Sequence, residues 1–342
     1  MSKEFQRELR KKLAPYEKAT LSNSVWQLTN TLIPFFLLWY LTYKSLSVSY
    51  IITLLLAIPT AGFLVRTFII FHDCCHMSFF KSKKANEIVG ILTGILTLFP
   101  YKQWRHEHNI HHATSGNLNK RGVGDIWVMT VREFENATPR ERLVYRFYRN
   151  PLVMFILGPF YLIFISNRIN RKKARMNERL DTYMTNVLIV LLYGMMCWLI
   201  GWQAFLMVQG PIVFIASALG VWLFYIQHHF EDSYFESDDK WDYVKAAVEG
   251  SSFYKLPKWA QWITGNIGYH HVHHLSPRVP NYYLEVVHNK CKELNSVPTV
   301  TVSSSLKALK YRLWDERSKQ FISFREIKKR SVNQKLSQKL AD

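Results

Sequence analysis

Cysteine is scarce in this 342-residue chain, and the four present, Cys74, Cys75, Cys197 and Cys291, have spacings that exclude a disulfide framework, a zinc knuckle or a thioredoxin-type pair. Charge is missing over long stretches. From Thr182 to Gln227, 46 residues pass without one Asp, Glu, Lys or Arg, more than two crossings at the roughly 20 residues a membrane helix needs, and a soluble fold is excluded. Acidic residues are also short, 25 against 44 Lys and Arg, for a net charge of +19. No recognition motif accompanies that excess, so it does not point to nucleic acid; in a membrane protein, basic loops record cytoplasmic orientation and attraction to anionic lipid. The N-terminus begins with a mixed-charge amphipathic stretch, Ser2 to Lys18, and no cleaved signal peptide is expected. No internal repeat or low-complexity segment stands out.

The uncharged runs predict an all-α integral membrane protein with four transmembrane helices in two hairpins. The first hairpin comes from Ala19–Tyr43 and Ser45–Val65, and the second from Met184–Ile200 and Ala204–Gln227, hinged at Gly201 and Trp202, with Pro211 tolerated as a kink. The expected division is a cytoplasmic amphipathic N-terminus (1–24), hairpin 1 (25–71), a cytoplasmic region with interfacial helices (72–183), hairpin 2 (184–227) and a cytoplasmic C-terminal region (228–342). Two apolar stretches, Ile88–Tyr101 and Pro151–Ser166, are too short to span comfortably at 14 and 16 residues. They read as interfacial or re-entrant helices, with six spans as the alternative. The four-span arrangement puts 42 of the 44 Lys and Arg on one face, the bias expected of a cytoplasmic side. The tail from Lys328 reads as a disordered or loosely membrane-bound end.

Twelve of the thirteen histidines fall into four groups, each at the cytoplasmic end of a span or in a cytoplasmic loop. The groups are His72 and His76; His106, His108, His111 and His112; His228 and His229; and His270, His271, His273 and His274. Helical residues four apart share a face, so His72 with His76, His108 with His112, and His270 with His274 each direct two imidazoles at one point. His111 and His273 lie beside them, and His228 makes a ninth. Imidazole suits iron, copper, nickel and zinc, and nine nitrogens exceed one tetrahedral ion, which implies two metals in a cytoplasmic helical cap. His106 and the isolated His288 read as ordinary interfacial residues, and Cys74 and Cys75, on other helix faces than His72 and His76, as packing.

The series His-x-x-x-His, His-x-x-His-His, Gln-His and His-x-x-His-His resembles the membrane-bound fatty acid desaturases over residues 25 to 330. Here these are His72 and His76; His108, His111 and His112; Gln227-His228; and His270, His273 and His274. Phe71–His76, Arg121–Trp127 and Gly265–Pro280 resemble the bacterial delta-5 acyl-lipid branch, associated with membrane adaptation to cold. The resemblance implies two iron ions, dioxygen as co-substrate, and removal of two hydrogens from neighbouring methylenes of a phospholipid acyl chain held in an apolar tunnel. Such unactivated C–H bonds are beyond a side-chain acid or base, so an oxidising cofactor must act. One departure is Phe224, which stands where the acyl-CoA branch has an Asn that reaches iron through water, so a tenth ligand is unassigned.

Metal-bound imidazoles usually give their other N–H to a carboxylate or carbonyl, which makes Asp73 and Asp125 candidate orienters and Asn266 a weaker one; Glu107, Glu231 and Asp232 read as solvated charges. No cysteine set for an iron–sulfur cluster and no heme or flavin domain is recognisable, so electrons are expected from an external ferredoxin or flavodoxin, whose acidic surface would suit the basic face. A membrane di-iron hydroxylase or ketolase uses a similar histidine plan. A metal transporter or sensor, from another class, would place ligands near mid-bilayer, whereas here span centres are apolar. The site is expected on the cytoplasmic face of the cell membrane.

Overall fold

A computed structural model describes residues 3–330 apart from Asn295. The chain runs through α1 (Lys3–Leu13), α2 (Leu21–Ser45), α3 (Tyr50–Cys75), α4 (Lys83–Thr97), α5 (Tyr101–Thr114), β1 (Met129–Thr130), α6 (Val131–Asn136), α7 (Pro139–Tyr148) and α8 (Gly158–Phe164). It continues through α9 (Met176–Ile200), α10 (Trp202–His228), α11 (Tyr243–Glu249), β2 (Phe253–Lys255), α12 (Lys258–Ile263), α13 (His270–Leu275), α14 (Asn281–Lys290), β3 (Thr299–Thr301), α15 (Val302–Ala308), β4 (Leu313–Asp315) and β5 (Gln320–Ile322). Residues 324–330 are again helical; the expected loose tail otherwise falls on residues outside the described ones.

Among the described residues three helices, α3, α9 and α10, are long and apolar enough to cross a membrane, or four crossings if α7 and the helical segment 153–168 count as one bent span. Although α2 has 25 residues, about 37 Å of helix, its first turns hold Asn23, Ser24, Gln27 and Asn30 and dilute its apolar character. It packs antiparallel to α3 through small and hydroxyl side chains. Ser45 meets Thr53 at 2.8 Å and Thr42 meets Thr60 at 3.2 Å, while Ala57 and Ala61 let the backbones approach. Gly201, at φ 84°, makes the sharp reversal between α9 and α10. Gln209 joins three helices, accepting from Trp39 Nε1 on α2 at 2.8 Å and donating to Tyr193 on α9 at 3.1 Å.

Both short apolar stretches fold as short helices. The first lies in α4, 15 residues or about 22 Å, which stops at left-handed Leu98. The second becomes one π-helical turn, Val153–Leu157, followed by α8, and this segment bends by 62° from α7. The all-α expectation needs correction. Strands β1, β4 and β5 form one sheet in the order β1-β4-β5, with β1 parallel and β5 antiparallel to β4, and β2 pairs in parallel with β3. These strands have two or three residues each, too short for the period-2 alternation that reveals a strand in sequence. They tie the segment after α5 to the C-terminal region: Arg149, fully buried, donates to Trp127 O and Tyr311 O, both at 3.0 Å.

Candidate metal centre

Four helix segments deliver the nine histidines singled out in sequence. α3 carries His72 in its last turn, with His76 as its C-cap, and α10 ends on His228; α5 carries His108, His111 and His112, and the six-residue α13 carries His270, His273 and His274. The start of α5 is fixed by Asp181 of α9, whose Oδ2 accepts from Lys102 N at 2.7 Å. The end of α10 is tied to the approach to α13 by Gln227 Nε2, which donates to Ile267 O at 2.9 Å.

The nine side chains form two groups. His72, His76, His108, His112 and His273 make the first, and His111, His228, His270 and His274 the second; within each, the ring nitrogens lie within 4.8 Å of one another. The pairs four apart stay together, as helical spacing requires. His111 and His273 fall in the opposite group from His112 and His274, because adjacent residues on a helix diverge by about 100°. The two helices therefore each contribute to both groups and hold them side by side.

The nitrogen geometry fits cations. His111 Nδ1 donates to Asp125 Oδ1 at 2.6 Å and His228 Nδ1 to Gly250 O at 3.2 Å, which leaves both Nε2 atoms as bare lone pairs. Those lone pairs face each other at 3.2 Å, and His228 Nε2 also lies 3.0 Å from His270 Nε2. In the other group, His112 Nε2 lies 3.1 Å from His108 Nε2 and 2.9 Å from His273 Nε2. About 3 Å is the separation of two nitrogens bound at right angles to one ion at about 2.1 Å, and a shared cation removes the repulsion of facing lone pairs. His76 Nε2 and His274 Nε2 are buried without a protein partner, as unused ligand atoms would be.

Two of the three expected orienters meet an imidazole. Asp125 holds His111, and Asp73, 1% exposed, lies 3.2 Å from His72 Nδ1. Gly124 lets Asp125 reach α5: its φ is +71°, and a Cβ there would lie 3.0 Å from Glu107 O and 3.1 Å from His111 Cβ. Asn266 instead donates to Asn281 O at 3.4 Å, two residues removed from the His72 imidazole. Glu231 accepts from Tyr311 Oη at 2.6 Å and Asp232 from Gln320 Nε2 at 2.8 Å, while Glu107 is drawn above the usual carboxylate range by burial. His106 sits 3.4 Å from Glu178, His288 pairs with His271 at 3.0 Å, and His229 stacks on Tyr225. Cys74 and Cys75 are buried against Tyr101, whose Oη donates to Cys74 O at 2.9 Å. Sequence reasoning missed Trp104, stacked on His108 at 4.2 Å one turn earlier on α5, for which i, i+4 spacing was an available signal. Phe224 stands 5.1 Å from the His111 ring and 5.4 Å from that of His228, on the wall of a small cleft that also touches Arg121, Asp125 and Phe235.

Burial, reinforced by neighbouring imidazoles, drives His108, His112, His270, His273 and His274 well below the usual histidine pKa. The folded chain keeps them neutral, ready to bind metal. As pH falls below about 6.5 the unfolded chain takes up protons that the folded chain refuses, so stability falls with pH, by about 1.4 kcal/mol per unit for each such group. Metal-free protein in detergent is therefore expected to lose on the order of 10 °C of Tm between pH 7.5 and 5.5. A flat thermal-melting profile over that window would contradict the assignment of these five as buried neutral groups.

Sequence comparison agrees with this geometry. Residues 45–299 match the family described as fatty acid desaturase. The chain is similar to a protein named fatty acid desaturase from Bacillus subtilis, 62% identical over 94% of this chain and 92% of that one. It also resembles an sn-1 oleoyl-lipid 12-desaturase from Synechocystis, 26% identical over 68% of this chain and 66% of the relative. A chloroplastic omega-6 fatty acid desaturase from Spinacia oleracea is 27% identical over 66% of this chain, which spans half the relative's length. With a histidine constellation able to hold metal, apolar helices of membrane-spanning length and a family match over most of its length, the chain belongs to the fatty acid desaturases, an oxidoreductase family.

Proposed function

We propose that this enzyme is an oxygen-dependent acyl-lipid desaturase that introduces a cis double bond, at carbon 5, into saturated acyl chains of membrane phospholipids. The observation that carries the reading is the division of nine buried imidazoles into adjacent groups of five and four. Two iron ions held there would supply the oxidising power: dioxygen becomes two waters, taking two hydrogens from neighbouring methylenes and two electrons with two protons from an external ferredoxin or flavodoxin. Iron, and not another metal, is inferred from the family.

The protein's own part is orientation and exclusion of water. Asp73 and Asp125 fix the rings of His72 and His111. Apolar side chains, Phe224, Ile126, Val128 and Phe235, line the cleft beside His111 and His228. Four spans, α2, α3, α9 and α10, with the site on the cytoplasmic face, accord with the basic residues on one side and with histidines at helix ends. Basic surface suits an acidic electron donor, and an added double bond would keep lipids fluid in the cold.

The test is gas chromatography with mass spectrometry of membrane fatty acids from a bacterial host expressing the chain. New monounsaturated chains with the double bond at carbon 5 are expected. A different position would overturn the carbon-5 assignment alone, and hydroxylated chains would replace desaturation by hydroxylation.

A further inference from the structure

The carboxylate beside His72 is itself held by groups that no sequence motif marks. His72 and Asp73 are neighbours on α3, and adjacent side chains on a helix diverge by about 100°, so Asp73 does not meet the His72 ring by helical geometry alone. Something must turn it. Asp73 Oδ2 accepts two hydrogen bonds from one residue at the start of α14, from Asn281 N at 2.7 Å and from Asn281 Nδ2 at 2.8 Å. Asn281 Oδ1 in turn accepts from Gln27 Nε2 on α2 at 2.8 Å. The four residues are at most 4% exposed, so water cannot substitute for any of these partners. With Oδ2 occupied twice over, Oδ1 is left for His72 Nδ1, at 3.2 Å.

We propose that Asn281, backed by Gln27, is a positioning residue for the five-histidine group: it aligns the Asp73 carboxylate so that His72 keeps its proton on Nδ1 and turns Nε2 toward the other four imidazoles. The inference rests on reading that group as a metal site. It assigns a role to three segments, α2, α3 and α14, whose meeting point also pins the C-terminal cap to the first hairpin. A merely structural tether would produce the same contacts, so the test must separate the two.

The experiment titrates metal-free full-length protein in detergent with Co(II), following the visible absorption of each bound ion, for wild type, Asn281→Ala, Gln27→Ala, Asp73→Ala and the double variant Asp73→Ala/Asn281→Ala. Wild type is expected to bind two ions. Asn281→Ala is expected to weaken one of them about 10- to 100-fold and alter its spectrum, leaving the other unchanged. Gln27→Ala is expected to act on the same ion more weakly, and provides the test should Asn281→Ala fold poorly. In the Asp73→Ala background, Asn281→Ala is expected to have no further effect on affinity, because its action passes through the carboxylate. Equal weakening of both ions, or an Asn281→Ala effect that persists undiminished without Asp73, would overturn the positioning role and leave a tether. Failure of wild type to bind two ions would instead remove the two-metal reading itself.

Discussion

Replacing His111 by Ala is expected to abolish desaturation, with new unsaturated chains falling at least about 10³-fold while the protein stays inserted in the membrane. The size of the effect follows from position. His111 belongs to the four-histidine group, yet its ring lies 5.6 Å from that of His108 and 5.7 Å from that of His112, both in the other group. Its loss leaves three imidazoles for one ion and strands Asp125, whose partner it is at 2.6 Å. A carboxylate left without its partner and a shortened ligand set act in the same direction. His106→Ala, earlier on α5 with its ring beside Glu178 and partly open to solvent, is expected to keep activity within about twofold. Lipid analysis of hosts expressing each variant checks both outcomes; product above a tenth of wild type from His111→Ala would remove His111 from the metal-holding set.

Exchange of iron for zinc is expected to remove all turnover while leaving a folded, thermally stabilised protein. Zinc binds imidazole at least as tightly as ferrous iron in the usual divalent series, and four neutral nitrogens suit it. It has no second accessible oxidation state, so it cannot pass electrons to dioxygen. Metal-free protein reconstituted with zinc should therefore melt higher than the metal-free form, by mass action, and form no double bonds with reduced donor present. Stripping the zinc and supplying ferrous iron should restore activity. Turnover by the zinc form at a rate near that of the iron form would refute redox chemistry at this site.

What could be read from sequence follows from the range of the interactions. The cores of α3, α9 and α10 were legible because a helix in lipid cannot hide charge, and uncharged runs mark it directly. α9 begins eight residues before the expected Met184 because Met176–Tyr183, with Glu178 and Asp181, continues the helix into the polar region. The nine histidines were legible because i, i+4 spacing brings imidazoles onto one face. Their partition was not: that His111 joins His228 and His270, and His273 joins His72, depends on how α5 and α13 are rotated against α3 and α10. Asp73 and Asp125 stood close in sequence to their imidazoles, whereas Asn281 and Gln27 are 208 and 46 positions from Asp73 and carry no local sign of it. Asn266 shows the limit of proximity, for it lies one turn before His270 yet bonds to Asn281. The two small sheets escaped notice because their strands are held by pairing between distant segments, such as Met129 with Leu313, and not by their own pattern.

The most direct measurement is the iron content of the full-length chain purified without oxygen, set beside single variants taken from each histidine group. Two irons per chain are expected in wild type, with one lost in His273→Ala, from the five-histidine group, and one in His270→Ala, from the four. One iron per chain in wild type, or two that survive in both variants, would contradict a paired metal centre divided between these nine histidines.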